Sequence, residues 1–340
     1  MDVPSKDVAR INRRPTVIDV ARMAKVGAST VSRFLRGVKV KPEIAERVAH
    51  AVKTLRYQPD GMARALRIGR TNTIGIVLPK VSNVFFSQSV QVIEEEARQR
   101  NCAVILLTHQ DRIGQQMDQL STLRRYRVDG VIIAATAGTA AEDVWSALPG
   151  VPIVAFDSHF SPEVDSVLLR NRDAGRLATD HLIRHGHTKV ACVTGKPQVY
   201  SFEQRISGYK DAMDAKKLNP HLITALDYEQ LRFLLAATIR GKNRPTALLS
   251  LSDFATLTIL TTFSELGIKL ADALPLIGFD DFGFAALVDP PLTVIRQPIE
   301  KMVRYAMNTL FRRIEGDLEG KAHQIMLPGD LICRRSCGCV

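Results

Sequence analysis

Residues 15–35 read "PTVIDVARMAKVGASTVSRFL", and the spacing of their small and apolar side chains decides what the first fifth of the chain can be. Val17, Val20, Ala21 and Ala24 recur at the interval of one helix face, with Thr16 placed to cap the first turn. Val31, Phe34 and Leu35 line one face of a second short helix and leave Ser29, Ser32, Arg33 and Arg36 elsewhere. Between the two there is room only for a tight turn. Lys25 falls where the backbone turns left-handed, at a cost of about 1 kcal/mol relative to glycine. Gly27 stands where Ser or Thr would cap the second helix, only a few tenths of a kcal/mol worse than Ser. The pair has the outline of a helix–turn–helix. A third helix is predicted over residues 42–55, with Pro42 in its first turn and Ile44, Ala45, Val48, Ala51, Val52 and Leu55 in register. Three such helices with a shared apolar face make a bundle of about 45 residues, within the range that folds alone.

The charge of the chain is concentrated on this bundle. Of the net +11, residues 1–70 hold 16 Lys/Arg against 6 Asp/Glu, a surplus of 10, while residues 71–340 hold 30 against 29. A basic module on a neutral body points to a polyanion partner for that module alone, because the electrostatic part of nucleic-acid binding scales with the phosphates neutralised. No apolar run approaches the roughly 18–20 residues that span a bilayer. The opening "MDVPSKDVARINRRPTV" has no apolar core of a secretory signal, so a cytoplasmic location without membrane contact is expected.

Catalytic and metal-binding patterns are weak. Cys102 and Cys192 lie in strand-like apolar contexts and read as small buried hydrophobes. Cys333, Cys337 and Cys339, in "LICRRSCGCV", have no fourth ligand nearby in the chain, whereas a zinc site usually needs four. They read as reduced thiols. His181, His185 and His187 lie in "HLIRHGH", where His181 and His185 share a helix face, but no Glu follows the first His as zinc hydrolases require. They read as a helix end, where positive charge is favourable. Neither a G-x-S-x-G elbow nor a P-loop is present, so no enzyme, no cofactor and no metal is expected.

From Thr73 onward short apolar runs such as "IGIVLP", "AVILLT", "PIVAFD", "KVACVTG" and "LPLIGFD" alternate with helix-like stretches. Such alternation predicts parallel α/β architecture, and about ten alternations exceed one comfortable sheet. The expected fold is therefore α/β: a small all-α headpiece, then a core of two Rossmann-like parallel-sheet subdomains. Ligands of such sheets bind at the carboxyl ends of strands, and between two lobes they bind in the cleft.

The chain resembles the lactose-repressor-type (LacI/GalR) family of transcriptional regulators. The resemblance is carried by residues 15–35 and continues through "LRYQPDGMARALR", "IGIVLPKVSNVFFSQSVQVIEE", "VDGVII", "HLIRHGHTKVACVTG", "RISGYKDAM", "LGIKLADALPLIGFDD" and "PPLTVIRQP", from about residue 16 to the end. It implies a DNA-binding headpiece over 1–58, a hinge helix and linker over 59–71, and a core like a periplasmic sugar-binding protein over 72–340. The lobes of that core would be about 72–169 with 299–327, and about 170–298 with 328–340. It also implies a homodimer on a palindromic double-stranded operator; no further C-terminal heptad helix follows the core, which favours a dimer over a tetramer.

Carried onto this sequence, the family pattern makes residues 28–36 the recognition helix. Ala28, Ser29 and Arg33 occupy base-reading positions: Ala28 for apolar contact, Ser29 as a hydrogen-bonding group, Arg33 as a fork for guanine. Thr30 and Ser32 match phosphate contacts, and Thr16 belongs to the same DNA-binding set. Ala63 and Leu66 match the hinge residues that wedge into the minor groove. In the core, Asn83, Phe85 and Phe86 match the first effector loop, and Arg205 in "RISGY" offers a planar fork for hydroxyls or carboxylate. Asp280 in "IGFDD" would accept hydrogen bonds from the effector, with Asp157, Ser201 and Ser252 as further candidates. Relatives often carry Asp where this chain has Arg170, in "LLRNRDAG", which with Lys80 points to an anionic ligand such as a sugar acid. The implied function is a repressor of a sugar or sugar-acid operon that releases or binds its operator in response to a small-molecule effector. A solute-binding protein without DNA function is the alternative.

Overall fold

The computed structural model describes residues 15–35, 37–57, 69–270 and 274–338. The chain divides into two compact units, Met1–Thr71 and Asn72–Val340.

In the first unit, α1 (Val17–Ala24), α2 (Ala28–Leu35) and α3 (Pro42–Thr54) form where the apolar spacing places them. Thr16 starts α1 through a capping box: its hydroxyl accepts from the Asp19 N–H while the Asp19 carboxylate accepts from the Thr16 N–H at 2.8 Å. Lys25 ends α1 in the left-handed region, φ 52° and ψ 51°, which turns the chain towards α2. The carbonyl of Gly27 takes the first helical hydrogen bonds of α2, from Thr30 and Val31. Val20, Ala21, Ala24, Val31, Val48 and Ala51 form a small buried core, with Phe34, Ile44 and Leu55 packed around it. The hinge positions Ala63 and Leu66 lie outside the described residues.

The second unit holds two six-stranded sheets. The first lobe contains β1 (Thr73–Leu78), α4 (Val84–Gln99), β2 (Ala103–Thr108), α5 (Ile113–Tyr126), β3 (Gly130–Ile133), α6 (Ala141–Ala147), β4 (Ile153–Phe156) and β5 (Asp165–Leu169). The chain then builds the second lobe with α7 (Asn171–Arg184), β6 (Val190–Thr194), α8 (Tyr200–Ala215), β7 (His221–Thr224), α9 (Tyr228–Arg240), β8 (Ala247–Ser250), α10 (Asp253–Glu265), β9 (Leu276–Phe279) and β10 (Thr293–Arg296). It returns through α11 (Ile299–Glu315) and β11 (Gln324–Leu327), and crosses again to β12 (Asp330–Ile332). Strand orders are β11-β5-β4-β3-β1-β2 and β12-β10-β9-β8-β6-β7, so each lobe repeats the other's plan. All pairings are parallel except β10 with β12.

Central strands are buried on both faces, which explains their near-continuous Val/Ile/Leu runs. Helix α11 seats Met302, Val303, Ala306, Met307 and Leu310 against Ile74, Ile76 and Ile132 of the first lobe, so the returning segment is part of that lobe's core. In the second lobe α7 and α8 approach until backbones meet. A Cβ on Gly175 would strike the Arg205 carbonyl, and one on Gly208 would strike the Arg172 carbonyl. Only glycine permits that separation. Among the described residues no helix is long and apolar enough to cross a membrane.

Candidate functional site

Both sheets present their carboxyl ends to one cavity of about 620 Å³. Equivalent strands contribute equivalent residues: Phe156-Asp157 ends β4 in one lobe, and Phe279-Asp280 ends β9 in the other. Both aspartates adopt positive φ, 61° for Asp157 and 68° for Asp280, in the left-handed region that L-residues enter at an energetic penalty. That turn aims both carboxylates into the cavity.

Arg205 lies between them, only 3% exposed. Its Nε donates to Asn171 Oδ1 at 2.8 Å and its Nη1 to the Leu251 carbonyl at 2.7 Å. Its guanidinium sits 3.9 Å from the Phe279 ring centroid, a cation–π contact that also fixes the plane of the fork. No ion pair within 4 Å joins Arg205 to Asp157 or Asp280 among the described residues. Asp280 Oδ1 instead accepts from Gln297 Nε2 at 2.7 Å. Asp157 Oδ1, Ser158 Oγ and Gln297 Oε1 are buried with no hydrogen-bond partner. Buried polar atoms of this kind are uncommon in a structural core and common where a ligand docks.

The electrostatics follow from burial. Desolvation pushes the Asp280 carboxyl up to about 6, aided by Asp253 and Asp157 and opposed by Arg205 and Gln297. Asp157 is raised by the same burial, against the pull of Arg205 and Ser201. Burial lowers the Arg205 guanidinium from its ordinary value, while the three carboxylates hold it up. Asp157, Asp253 and Asp280 surround Arg205, while Lys80, Lys196, Asp111 and Asp227 also line the cavity.

All eight effector residues expected from the sequence line this cavity: Asn83, Phe85, Phe86, Asp157, Ser201, Arg205, Ser252 and Asp280. Several also hold the scaffold. Asn83 Oδ1 caps α4 by accepting from the Phe86 N–H, and its Nδ2 donates across the cleft to Asp253 Oδ1 at 2.9 Å. Ser252 caps α10 by accepting from the Ala255 N–H. Phe85 stacks on Phe156 at 5.6 Å and is buried beneath the cavity wall.

Arg170 is a correction. It is exposed, precedes the first turn of α7 and does not line the cavity, because β5 ends one residue earlier and turns its side chain outward. It supplies no positive charge to the ligand space, and the expectation of an anionic ligand loses its main support. Lys80 does line the cavity but is exposed.

Other residues at the cavity wall or behind it carry no signal in the sequence alone. Lys196 Nζ lies 3.1 Å from Asp111 Oδ2, a second bridge between the lobes. His109 is fully buried: its Nδ1 accepts from the Asp111 N–H, so its Nε2 carries the proton and donates to the Ala134 carbonyl at 2.9 Å. Burial lowers its proton affinity, which suits this neutral, wall-setting role. Far from the cavity, the fold brings His181 of α7 beside Cys333 and Cys337, ligand atoms within 4.8 Å of one another. The imidazole comes from 152 positions away from Cys333 in the chain, not from the neighbouring sequence.

On the first unit, Ala28, Ser29 and Arg33 are exposed along α2, Thr30 and Ser32 are half-buried, and Val31 between them is fully buried. The buried Val31 fixes which face of α2 turns outward. Thr16 is committed to its cap, its hydroxyl 2.7 Å from Asp19 Oδ2. Lys25, at the turn, is exposed.

Comparison with known proteins agrees with this arrangement. Residues 16–60 match the model of bacterial regulatory proteins of the lacI family, and residues 179–337 match a periplasmic binding protein-like domain. The ribose operon repressor of Haemophilus influenzae is 30% identical over 319 residues, covering 92% of this chain and 96% of that protein. The HTH-type transcriptional repressor PurR of Photobacterium profundum is 30% identical over 328 residues, covering 94% and 98%. The crystal structure of the Lac repressor dimer bound to operator and the anti-inducer ONPF shares the fold, with a TM-score of 0.84 at 23% identity over 96% of this chain and 99% of that one. A headpiece match together with relatives aligned over nearly their whole length shows that the chain belongs to the lacI family of bacterial regulatory proteins, DNA-binding repressors that respond to small molecules.

Proposed function

We propose that this protein is a non-enzymatic repressor whose effector is a neutral monosaccharide held by Asp157, Arg205 and Asp280, and whose α2 reads a palindromic operator as a homodimer. The observation that carries the effector class is the charge around the one buried cation: Asp157, Asp253 and Asp280 surround Arg205, Lys196 is already paired with Asp111, Lys80 and Asp227 are exposed, and Asp157 Oδ1 and Gln297 Oε1 are acceptors open to a donor. Sugar hydroxyls donate to carboxylates and accept from a guanidinium at the same carbon pair, which matches this alternation of acceptors and donor. A sugar acid would bring a fourth carboxylate among Asp157, Asp253 and Asp280 with one buried cation to meet it. The aromatic side chains Phe202 and Phe254, also at the cavity, offer apolar faces for the carbon framework.

Such a ligand touches Asp157 of the first lobe and Arg205 and Asp280 of the second, so it favours one lobe separation over others. A ligand shifts a conformational equilibrium by its differential affinity for the two states, and no more. The interlobe bonds Asn83–Asp253 and Lys196–Asp111 are the contacts whose making and breaking distinguish those states.

Thermal-shift measurement of the full chain with D-ribose, D-glucose, gluconate and a purine base tests the effector class. Ribose is included because a relative is a ribose operon repressor. The expected result is a midpoint raised by a neutral sugar, since binding to the native state stabilises it by mass action. A shift with gluconate or the purine and none with neutral sugars would overturn the reading.

A further inference from the structure

The tail after β12 passes over the C-terminal end of α7 and sets two thiols against an imidazole. Cys333 Sγ lies 3.6 Å from His181 Nε2, and the ligand atoms of His181, Cys333 and Cys337 all fall within 4.8 Å of one another. We propose that His181, Cys333 and Cys337 form a binding site for a thiophilic divalent cation of zinc's class.

The geometry is close to what such an ion demands. With Zn–S of about 2.3 Å and Zn–N of about 2.0–2.1 Å at tetrahedral angles, sulfur and nitrogen ligands stand roughly 3.5–3.6 Å apart and two sulfurs roughly 3.8 Å. The His181–Cys333 separation already has this value, and the remaining pairs need to close by little more than an ångström at most. Two thiolates neutralise the divalent charge and an imidazole completes a borderline-soft donor set. Binding releases the two thiol protons to solvent and forms two metal–sulfur bonds and one metal–nitrogen bond, with no change of oxidation state.

The surroundings leave room for the metal's ligands. The one proton of Thr293 Oγ1 lies within reach of both the Arg334 carbonyl at 3.0 Å and Cys337 Sγ at 3.1 Å, so the hydroxyl can turn to the sulfur when the Cys337 thiol proton leaves. The cations between the two cysteines are drawn aside: Arg334 makes a two-pronged pair with Asp281 at 2.8 and 3.0 Å, and Arg335 lies 3.6 Å from Asp289. Cys333 is exposed while His181 and Cys337 are buried, so the ion has a route in from solvent and two ligands fixed in advance by packing. The other described cysteines do not compete. Burial pushes the Cys102 thiol up to about 11 and Cys192 further still.

The test uses the full chain, reduced and metal-free, titrated with Co²⁺ as a spectroscopic stand-in and then with Zn²⁺. One equivalent per chain is expected to produce thiolate-to-cobalt charge-transfer absorption, which Zn²⁺ bleaches. Zinc is expected to protect Cys333 and Cys337 from alkylation, read peptide by peptide in a mass spectrometer. The exposed Cys333→Ser leaves the packing untouched and is expected to weaken cobalt binding by more than about 100-fold, beyond the loss typical of an outer-sphere partner. His181→Asn is expected to do the same, with circular dichroism confirming its fold. A cobalt band of equal strength and affinity in Cys333→Ser, or alkylation of Cys333 and Cys337 unaffected by stoichiometric zinc, would overturn the site.

Discussion

Replacing Asp280 with Asn is expected to make the free protein more stable while weakening its response to the effector. Asp280 is 6% exposed, holds a left-handed backbone at the end of β9 and carries a carboxyl that titrates at about 6, well above the ordinary carboxylate. The folded form therefore binds a proton that the unfolded chain has already released between about pH 4 and pH 6. Stability from this group is complete below the unfolded value and is lost as the pH rises through about 6. Above that the ionised side chain opposes folding by about 3 kcal/mol, from a shift of about 2 units at 1.36 kcal/mol each, with the attraction of Arg205 already included. The amide introduced by Asp280→Asn keeps an acceptor for Gln297 Nε2 without the charge. The expected gain is about 3 kcal/mol at pH 8, about half of that at pH 5 and little at pH 4. In a unit of this size that corresponds to roughly 6 °C in Tm at pH 8. Effector affinity is expected to fall by about 1.5–3 kcal/mol, roughly 10- to 150-fold, the worth of a hydrogen bond to a charged acceptor. Scanning calorimetry from pH 4 to 8 with titration calorimetry at pH 7.5 measures both. A variant less stable than the parent at pH 8, or a Tm difference that does not shrink towards pH 4, would refute the account of Asp280 as a strained, desolvated binding group.

Other substitutions separate the parts of the mechanism. Arg33→Ala is expected to relax base preference at one operator position, at about 1–3 kcal/mol for the preferred base; a uniform loss on all duplexes would make Arg33 a phosphate contact instead. Gly208→Ala places a methyl group on the Arg172 carbonyl and is expected to destabilise the core by about 1–3 kcal/mol, measured by urea unfolding. Because α8 also carries Arg205, effector affinity should fall with it, and an unchanged affinity would separate the helix crossing from the site. Lys196→Ala removes a partly exposed bridge between the lobes and is expected to weaken effector binding about two- to five-fold, within about 1 kcal/mol. Effector affinity unchanged in Lys196→Ala would remove that bridge from the closure mechanism.

The helices of the headpiece were legible because local spacing and local capping decide them. Val20, Ala21, Ala24 and Val31 meet in one core, and even the awkward Lys25 takes its left-handed turn while the helices beside it stay intact. That Arg205 and Asp280 line one cavity was legible only through family resemblance, since nothing in "RISGY" or "IGFDD" states what it will face. What stayed hidden depends on distant segments meeting. The stack of Arg205 on Phe279 joins α8 to the end of β9, and the cross-cleft bond of Asn83 to Asp253 spans 170 residues. Arg170 misled for the same reason: a charge's position in the chain does not say which side of a strand end it leaves from. His181 met the two cysteines because the chain returns to its second lobe after completing the first, a topological fact with no local signature.

One chain is proposed to couple sugar binding at Asp157, Arg205 and Asp280 to operator binding at α2. The most direct measurement is fluorescence anisotropy of an operator selected from random duplex DNA, titrated with the full chain in the presence and absence of the sugar that raises its thermal midpoint. The expected result is a palindromic site bound by a dimer, and an operator affinity changed by about 5- to 150-fold by the sugar, the usual range of allosteric coupling. Asp280→Asn should bind the same operator equally well without sugar and need roughly 10- to 150-fold more sugar for the same response. A single half-site bound by a monomer, or an undiminished sugar response in Asp280→Asn, would contradict this proposal.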